Sequence, residues 1–160
     1  MSAGRPIQLP LGIKLRDEAT FASYYPGPNA GVLAATQAFA EPQSSIEECC
    51  LYLWGSEGTG RTHLLQAACH ALADVGGLAM YLPLDELVEE GPLLLEGMES
   101  VDLLCLDKLE AVAGRPDWEE ALFHLYNRLR EQGSRLLVAA VAAPRALGLQ
   151  LPDLASRLGW

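Results

Sequence analysis

The chain has 160 residues, half of them hydrophobic and a fifth charged, which is one domain's worth of core and excludes wholesale disorder. Twenty-one acidic side chains against eleven basic ones give a formal charge of −10, and residues 41–120 hold 17 of the acids. That field excludes a phosphate-neutralising surface over the whole molecule and leaves residues 121–160, with five basic and two acidic side chains, as the most basic stretch.

In chain order, residues 1–16 contain two prolines and no helical period, so they read as an extended arm ahead of a core at 17–160. Pro26, Gly27 and Pro28 make a turn, and Asn29 is placed to cap a helix carrying Val32, Leu33 and Phe39. The run CCLYLWG, ending at Gly55, predicts a strand buried on both faces. Thr62 to Leu72 sets Leu64, Leu65, Ala68 and Leu72 on one helical stripe, which Gly76-Gly77 ends. A second strand is expected over Leu78–Leu82, stopped by Pro83. One or two short helices follow between Asp85 and Met98, interrupted by Gly91-Pro92. The third strand is Val101–Leu106, with Asp107 directly after it. Asp117 is expected to cap a helix to Glu131 with Leu122, Leu125, Tyr126 and Leu129 inward and Trp118 in the core. A fourth strand, Leu136–Val141, and a short helix near Ala155 complete the pattern. Apolar strands alternating with helices predict a parallel α/β sheet.

Cys49, Cys50, Cys69 and Cys105 form no CxxC pair and sit in apolar runs, so they read as core thiols of a cytoplasmic protein. No apolar leader opens the chain, and no apolar run reaches the ~18 residues that a membrane span needs. His63, His70 and His124 are scattered, which disfavours a histidine metal site.

Gly55-Ser56-Glu57-Gly58-Thr59-Gly60-Arg61-Thr62 fits the phosphate-loop pattern G-x-x-x-x-G-K-[ST], with arginine in place of lysine. Glycines let backbone N–H groups turn inward around a diphosphate, and the helix that follows favours an anion at its start. Thr62 can supply a hydroxyl to Mg²⁺. The bulkier, forked guanidinium of Arg61 can still pair with phosphate oxygens. Asp107, at the C-terminal end of an apolar strand, stands where α/β sheets bind ligands and would hold Mg²⁺ through water. An ATPase usually has a second acid next, but Lys108 follows, and Glu110 does not match the usual base. Tight binding with poor hydrolysis is therefore expected. An empty glycine-rich turn is the plain alternative.

The run W-G-S-E-G-T-G-R-T-H-L-L resembles the phosphate loop of the DnaA-related AAA+ family. Arg61, T-F-A-S-Y-Y-P-G at 20–27 and L-P-D-L-A-S-R-L-G-W at 151–160 are most similar to its Hda branch of regulatory inactivators. Q-L-P-L-G-I at 8–13 is similar to the peptide with which such proteins engage the sliding clamp. The resemblance implies an AAA+ sheet in the spatial order 5-1-4-3-2, flanked by helices, with the residues ending before the fifth strand and the helical lid. The first strand would then be an exposed apolar edge. It also implies a regulator of DNA replication initiation that binds ADP or ATP with Mg²⁺, docks on the clamp and promotes hydrolysis of ATP held by DnaA. DNA would be reached only through the clamp, no membrane is involved, and a homodimer is compatible.

By position, Gln8, Leu9, Leu11 and Ile13 would form the clamp peptide; a tail that happens to hold apolar residues is the alternative. Tyr24, Tyr25 and Gly27 match the adenine-side wall, and the tyrosines read equally well as core. Glu57, Gly58, Thr59, Gly60, Arg61, Thr62 and His63 would contact the nucleotide, with Thr62 and Asp107 serving Mg²⁺. Arg157 falls at the arginine-finger position and would act on a neighbouring subunit's ATP; a helix-end arginine paired with a surface carboxylate is the alternative. Ala-Ala-Val-Ala-Ala at 139–143 stands where the family places a polar sensor, which further lowers the expected self-catalysed hydrolysis. A small P-loop ATPase or kinase of unrelated role, and a degenerate fragment that binds nothing, stay open beside this reading.

Overall fold

The computed structural model describes residues 15–41, 49–56 and 60–159. Helix α1 (Ala30–Phe39) is followed by β1 (Cys50–Trp54), α2 (Arg61–Asp74), β2 (Ala79–Pro83) and a single turn α3 (Leu84–Leu87). Then come β3 (Leu103–Asp107), α4 (Pro116–Gln132), β4 (Arg135–Ala140) and α5 (Pro152–Leu158). The four strands pair in the order β1-β4-β3-β2, and every pairing is parallel. Cys50 faces Leu136, Leu103 faces Arg135, and Ala79 faces Leu103. This is the expected α/β sheet, and within the described residues β1 is an edge, as the implied strand order requires.

Strand side chains alternate between two cores. Leu104, Leu106, Leu136 and Val138 meet Leu122, Leu125, Tyr126 and Leu129 of α4 and Leu154 and Leu158 of α5. Leu103, Cys105, Leu137 and Ala139 point the other way, onto Leu64, Leu65, Ala68 and Leu72 of α2 and Phe39 of α1. Period-2 strands between two helical layers need apolar residues on both faces, which is why β3 and β4 read as unbroken apolar runs. Asp107 continues the odd-numbered series, so its carboxyl falls on the α2 side. Helix α2 stops where Gly76, at φ 86°, turns left-handed: its N–H reaches Ala73 O and that of Gly77 reaches Leu72 O.

Several local expectations are corrected. β1 is not buried on both faces: only Leu53 is buried, and Trp54 is 61% exposed. Asn29 occupies the N-cap of α1 without a side-chain cap bond. Arg115, not Asp117, is the N-cap of α4, because Pro116 already takes the first helical position, and Asp117 Oδ1 accepts the Trp118 N–H at 2.8 Å. Pro83 does not stop β2 but ends it, paired with Asp107, as an edge strand tolerates. Of the short helices expected between Asp85 and Met98, α3 is a single turn and three 3₁₀ turns follow it to Ser100, with the expected break at Gly91 and a second at Gly97. The core reading of the thiols holds for Cys69 and Cys105, which are buried, while Cys49 and Cys50 are half-buried; burial pushes Cys50 and Cys105 above the usual thiol range.

Candidate nucleotide-binding site

β1 delivers the chain to Gly55, whose N–H donates to Ala140 O at 3.3 Å, and α2 begins at Arg61. Between them, Glu57, Gly58 and Thr59 lie outside the described residues, as do Gln8, Leu9, Leu11 and Ile13 of the expected clamp peptide. Gly60 caps α2 at φ 81° and ψ 21°, and a Cβ there would stand 2.7 Å from Tyr24 Cε1. Both the backbone and the neighbour therefore demand glycine. The first turn of α2 contains no acid, so its free N–H groups and positive dipole end are available to an anion.

Thr62 Oγ1 and the Tyr81 phenol each donate to Asp107 Oδ2 at 2.6 Å. Asp107 is 2% exposed, and these two hydroxyls hold it. Burial first, and then the bond to Asp107, push the Tyr81 phenol well above its ordinary range, so it stays a donor. A threonine hydroxyl beside a carboxylate is a hard-oxygen donor set that suits Mg²⁺, which binds through one or two carboxylates, water and substrate phosphates. Thr62 and Asp107 face a cleft of about 620 Å³ that Arg61, His63, Lys108 and Glu110 also line.

The residue after Asp107 is distinctive. Lys108 is the one non-glycine with positive φ among the described residues, at 58°, and its ammonium lies 3.3 Å from Asp85. Burial alone would lower its pKa, but Asp85, with Asp107 and Glu86 behind it, raises it. Glu110 Oε1 accepts the Val141 N–H at 3.1 Å, so its carboxyl is engaged with the end of β4. Arg61 Nη1 donates to Ala140 O at 2.7 Å, and the Tyr52 phenol donates to Ala142 O at 2.8 Å. Burial, then Glu110, raises Tyr52 above its ordinary range.

The two expected wall tyrosines part company. Tyr24 is buried, its ring centroid 5.5 Å from that of His63, whereas Tyr25 is 88% exposed above Gly27 and is not core. A second cavity of about 240 Å³ opens between Tyr24, Val32, Tyr52 and Trp54, with Arg61 bordering it as well as the cleft. His63 Nε2 sits 2.7 Å from Thr20 O and 3.2 Å from Ser23 Oγ, fastening residues 20–23 to α2. Arg157 lies half-buried on α5, is not among the side chains lining the cleft, and has no ion-pair partner among the described residues.

Sequence reasoning missed Tyr81 and Glu119. Tyr81 is a polar tip on an apolar strand; Glu119 is an acid beside Trp118 at the start of a helix, and its partners lie at residues 114, 150 and 151. Among the described residues no cluster of three histidines, cysteines or acids could hold a metal ion, and no helix is long and apolar enough to cross a membrane.

A parallel sheet whose first strand feeds a glycine-capped helix, with a strand-end aspartate bonded to that helix's threonine, defines a P-loop domain of the AAA+ class. Residues 15–160 match the family model of the bacterial DnaA ATPase domain, and the chain belongs to that family. The structure is similar to replication initiator DnaA bound to AMPPCP and single-stranded DNA, at 26% identity and TM-score 0.79, covering 91% of this chain and 49% of that one. It is similar to domain III of DnaA from Thermotoga maritima at 25% identity and TM-score 0.76, covering 91% and 65%. The DnaC helicase loader, at 23% identity and TM-score 0.61 over 89% and 88%, shares the fold. The chain spans about half the length of the first initiator structures it matches, 48% and 49%.

Proposed function

We propose that the chain is a nucleotide-binding regulator of DNA replication initiation, acting as Hda-type proteins act: it holds ADP or ATP, docks on the sliding clamp and promotes hydrolysis of ATP held by DnaA. The observation that carries this is the bond from Thr62 to Asp107 beneath a glycine-capped helix start, beside Lys108 where a hydrolytic acid would stand. Phosphate oxygens would sit on the N–H groups of residues 57–62, with the Arg61 guanidinium beside them. The cavity by Tyr24, Tyr52 and Trp54 offers aromatic and apolar walls to the adenine. Bound Mg²⁺ would supply charge neutralisation between phosphate groups, held by Thr62 and, through water, Asp107.

The cleft's own residues support binding over chemistry. Lys108 is a cation tied to Asp85 and carries no acceptor for a water proton, and Glu110 is turned with Oε1 on the Val141 amide. Hydrolysis is instead assigned to the neighbouring subunit's ATP, with Arg157 stabilising the developing charge. Gln8, Leu9, Leu11 and Ile13 would lay an extended peptide into a clamp pocket.

The test is hydrolysis of DnaA-bound ATP in the presence of DNA-loaded clamp. The chain should stimulate it, Gln8→Ala/Leu9→Ala should remove clamp capture without changing thermal stability, and Arg157→Ala should bind clamp and ADP yet fail to stimulate. Absence of ADP binding, or full stimulation by Arg157→Ala, would overturn the corresponding part of the reading.

A further inference from the structure

We infer that Glu119 is the positioning residue of the Arg157 finger; this rests on the trans reading of Arg157 given above. Glu119 lies in the first turns of α4, is 1% exposed, and takes part in no salt bridge among the described residues. A carboxylate buried without a cation is costly unless its lone pairs are filled. Here backbone amides fill them. Oε1 accepts the N–H groups of Gln150 at 2.8 Å and Leu151 at 2.7 Å, and Oε2 accepts that of Gly114 at 2.6 Å and shares Gln150 at 3.1 Å.

Those amides belong to two separate segments, the loop entering α4 and the stretch entering α5. Leu151 is the N-cap of α5, and its own side chain supplies no cap bond. The helix has seven residues, too few to hold itself in water, where about 12–15 are needed. Its placement therefore comes from Leu154 and Leu158 in the core and from the Glu119 carboxyl at its start. Arg157 stands on the same short helix, so the carboxyl that fixes the helix entry also fixes where the guanidinium begins its reach.

The charge matters as well as the shape. A glutamine at 119 offers one acceptor oxygen and one NH₂ group. Whichever way it turns, the NH₂ faces an amide N–H, at Gly114 or at residues 150–151, and one segment is released. A misplacement of about 1 Å at a group acting on a transition state costs on the order of a hundredfold in rate.

The experiment compares the full chain with Glu119→Gln, Arg157→Ala and the double variant, measuring the plateau and the half-saturating concentration of stimulated hydrolysis of initiator-bound ATP with loaded clamp. ADP affinity and thermal unfolding are measured beside them. Glu119→Gln should lower the plateau roughly a hundredfold while leaving ADP affinity and half-saturation unchanged, and the double variant should stimulate no less than Arg157→Ala alone. A full plateau for Glu119→Gln while Arg157→Ala has lost it overturns the positioning role and leaves the finger standing. So does an additive loss in the double variant. A full plateau for Arg157→Ala overturns the finger reading itself, and this inference with it. Should Glu119→Gln fail to fold, Glu119→Asp, which keeps the charge and reaches only one segment, carries the same comparison.

Discussion

Replacing Gly60 by alanine tests whether the start of the phosphate-binding helix is shaped by its neighbours as the structure implies. At φ 81° a Cβ costs about 1–2 kcal/mol of backbone strain. The same Cβ would lie 2.7 Å from Tyr24 Cε1, a ring atom in a buried side chain packed beside His63. Forcing that ring to move is an overpacking of about 1–3 kcal/mol. Together these predict a loss of roughly 2–5 kcal/mol, and at ~2–4 °C per kcal/mol for a domain near this size the melting point should fall by roughly 10 °C. Thermal and urea unfolding of Gly60→Ala, Tyr24→Ala and the pair separate the two parts. In the Tyr24→Ala background only the strain remains, so the alanine should cost about 1–2 kcal/mol there. ADP titration should show weakened binding in Gly60→Ala, because the helix start and the phosphate cradle move together. A cost below ~1 kcal/mol, or an equal cost in both backgrounds, would refute the reasoning.

Asp107→Asn should leave the chain folded but reduce the strengthening of ADP binding by Mg²⁺ by roughly tenfold or more, since a contact to a charged group is worth ~1.5–3 kcal/mol; titration with and without Mg²⁺ reads it. Lys108→Glu places an acid after the strand and should raise single-turnover ATP hydrolysis by the isolated chain, while lowering the melting point, because a carboxylate there replaces the ion pair with repulsion from Asp85, Glu86 and Asp107. Tyr81 is held above its ordinary value of 10.0 in the folded state, so the stability it supports is complete below pH 10 and is lost as the pH rises past it. Melting points across that alkaline range should fall less steeply in Tyr81→Phe, although Tyr52 and Tyr126, also raised by burial, keep part of the slope.

The four strands and the helices α1, α2, α4 and α5 were legible because each carries a strong apolar pattern, and Asp107 was legible because a single acid ends an apolar strand. What stayed hidden depends on partners far along the chain. Tyr81 reaches Asp107 only because β2 and β3 pair in one register, and nothing in A-M-Y-L-P announces a bond to a residue 26 positions away. Glu119 meets amides 31 and 32 positions on, where no local rule applies. The cap at Asp117 was misread because two start signals competed and Pro116 won the first position. Tyr24 and Tyr25 are adjacent and chemically alike, so composition could not separate the one under Gly60 from the one in solvent.

The end of β4 makes polar contacts although its side chains are apolar. Residues 139–143 are Ala-Ala-Val-Ala-Ala, yet three side chains from elsewhere engage their backbone: Arg61 at Ala140 O, Glu110 at the Val141 N–H, and Tyr52 at Ala142 O. Two of these partners come from elements that border the proposed phosphate position. A lysine ammonium at position 61 would be a single charge centre on a flexible stem, drawn to the phosphates or to the carbonyl. A guanidinium carries five donors in a rigid fork, so one Nη1–H can stay on Ala140 while the others remain for a second acceptor. On the proposed function, phosphate occupancy would then be felt at Ala140 through Arg61, whose Nη1–H donates to its carbonyl. The substitution that weakens the loop's match to the common pattern is thus the one that ties the start of α2 to the end of β4.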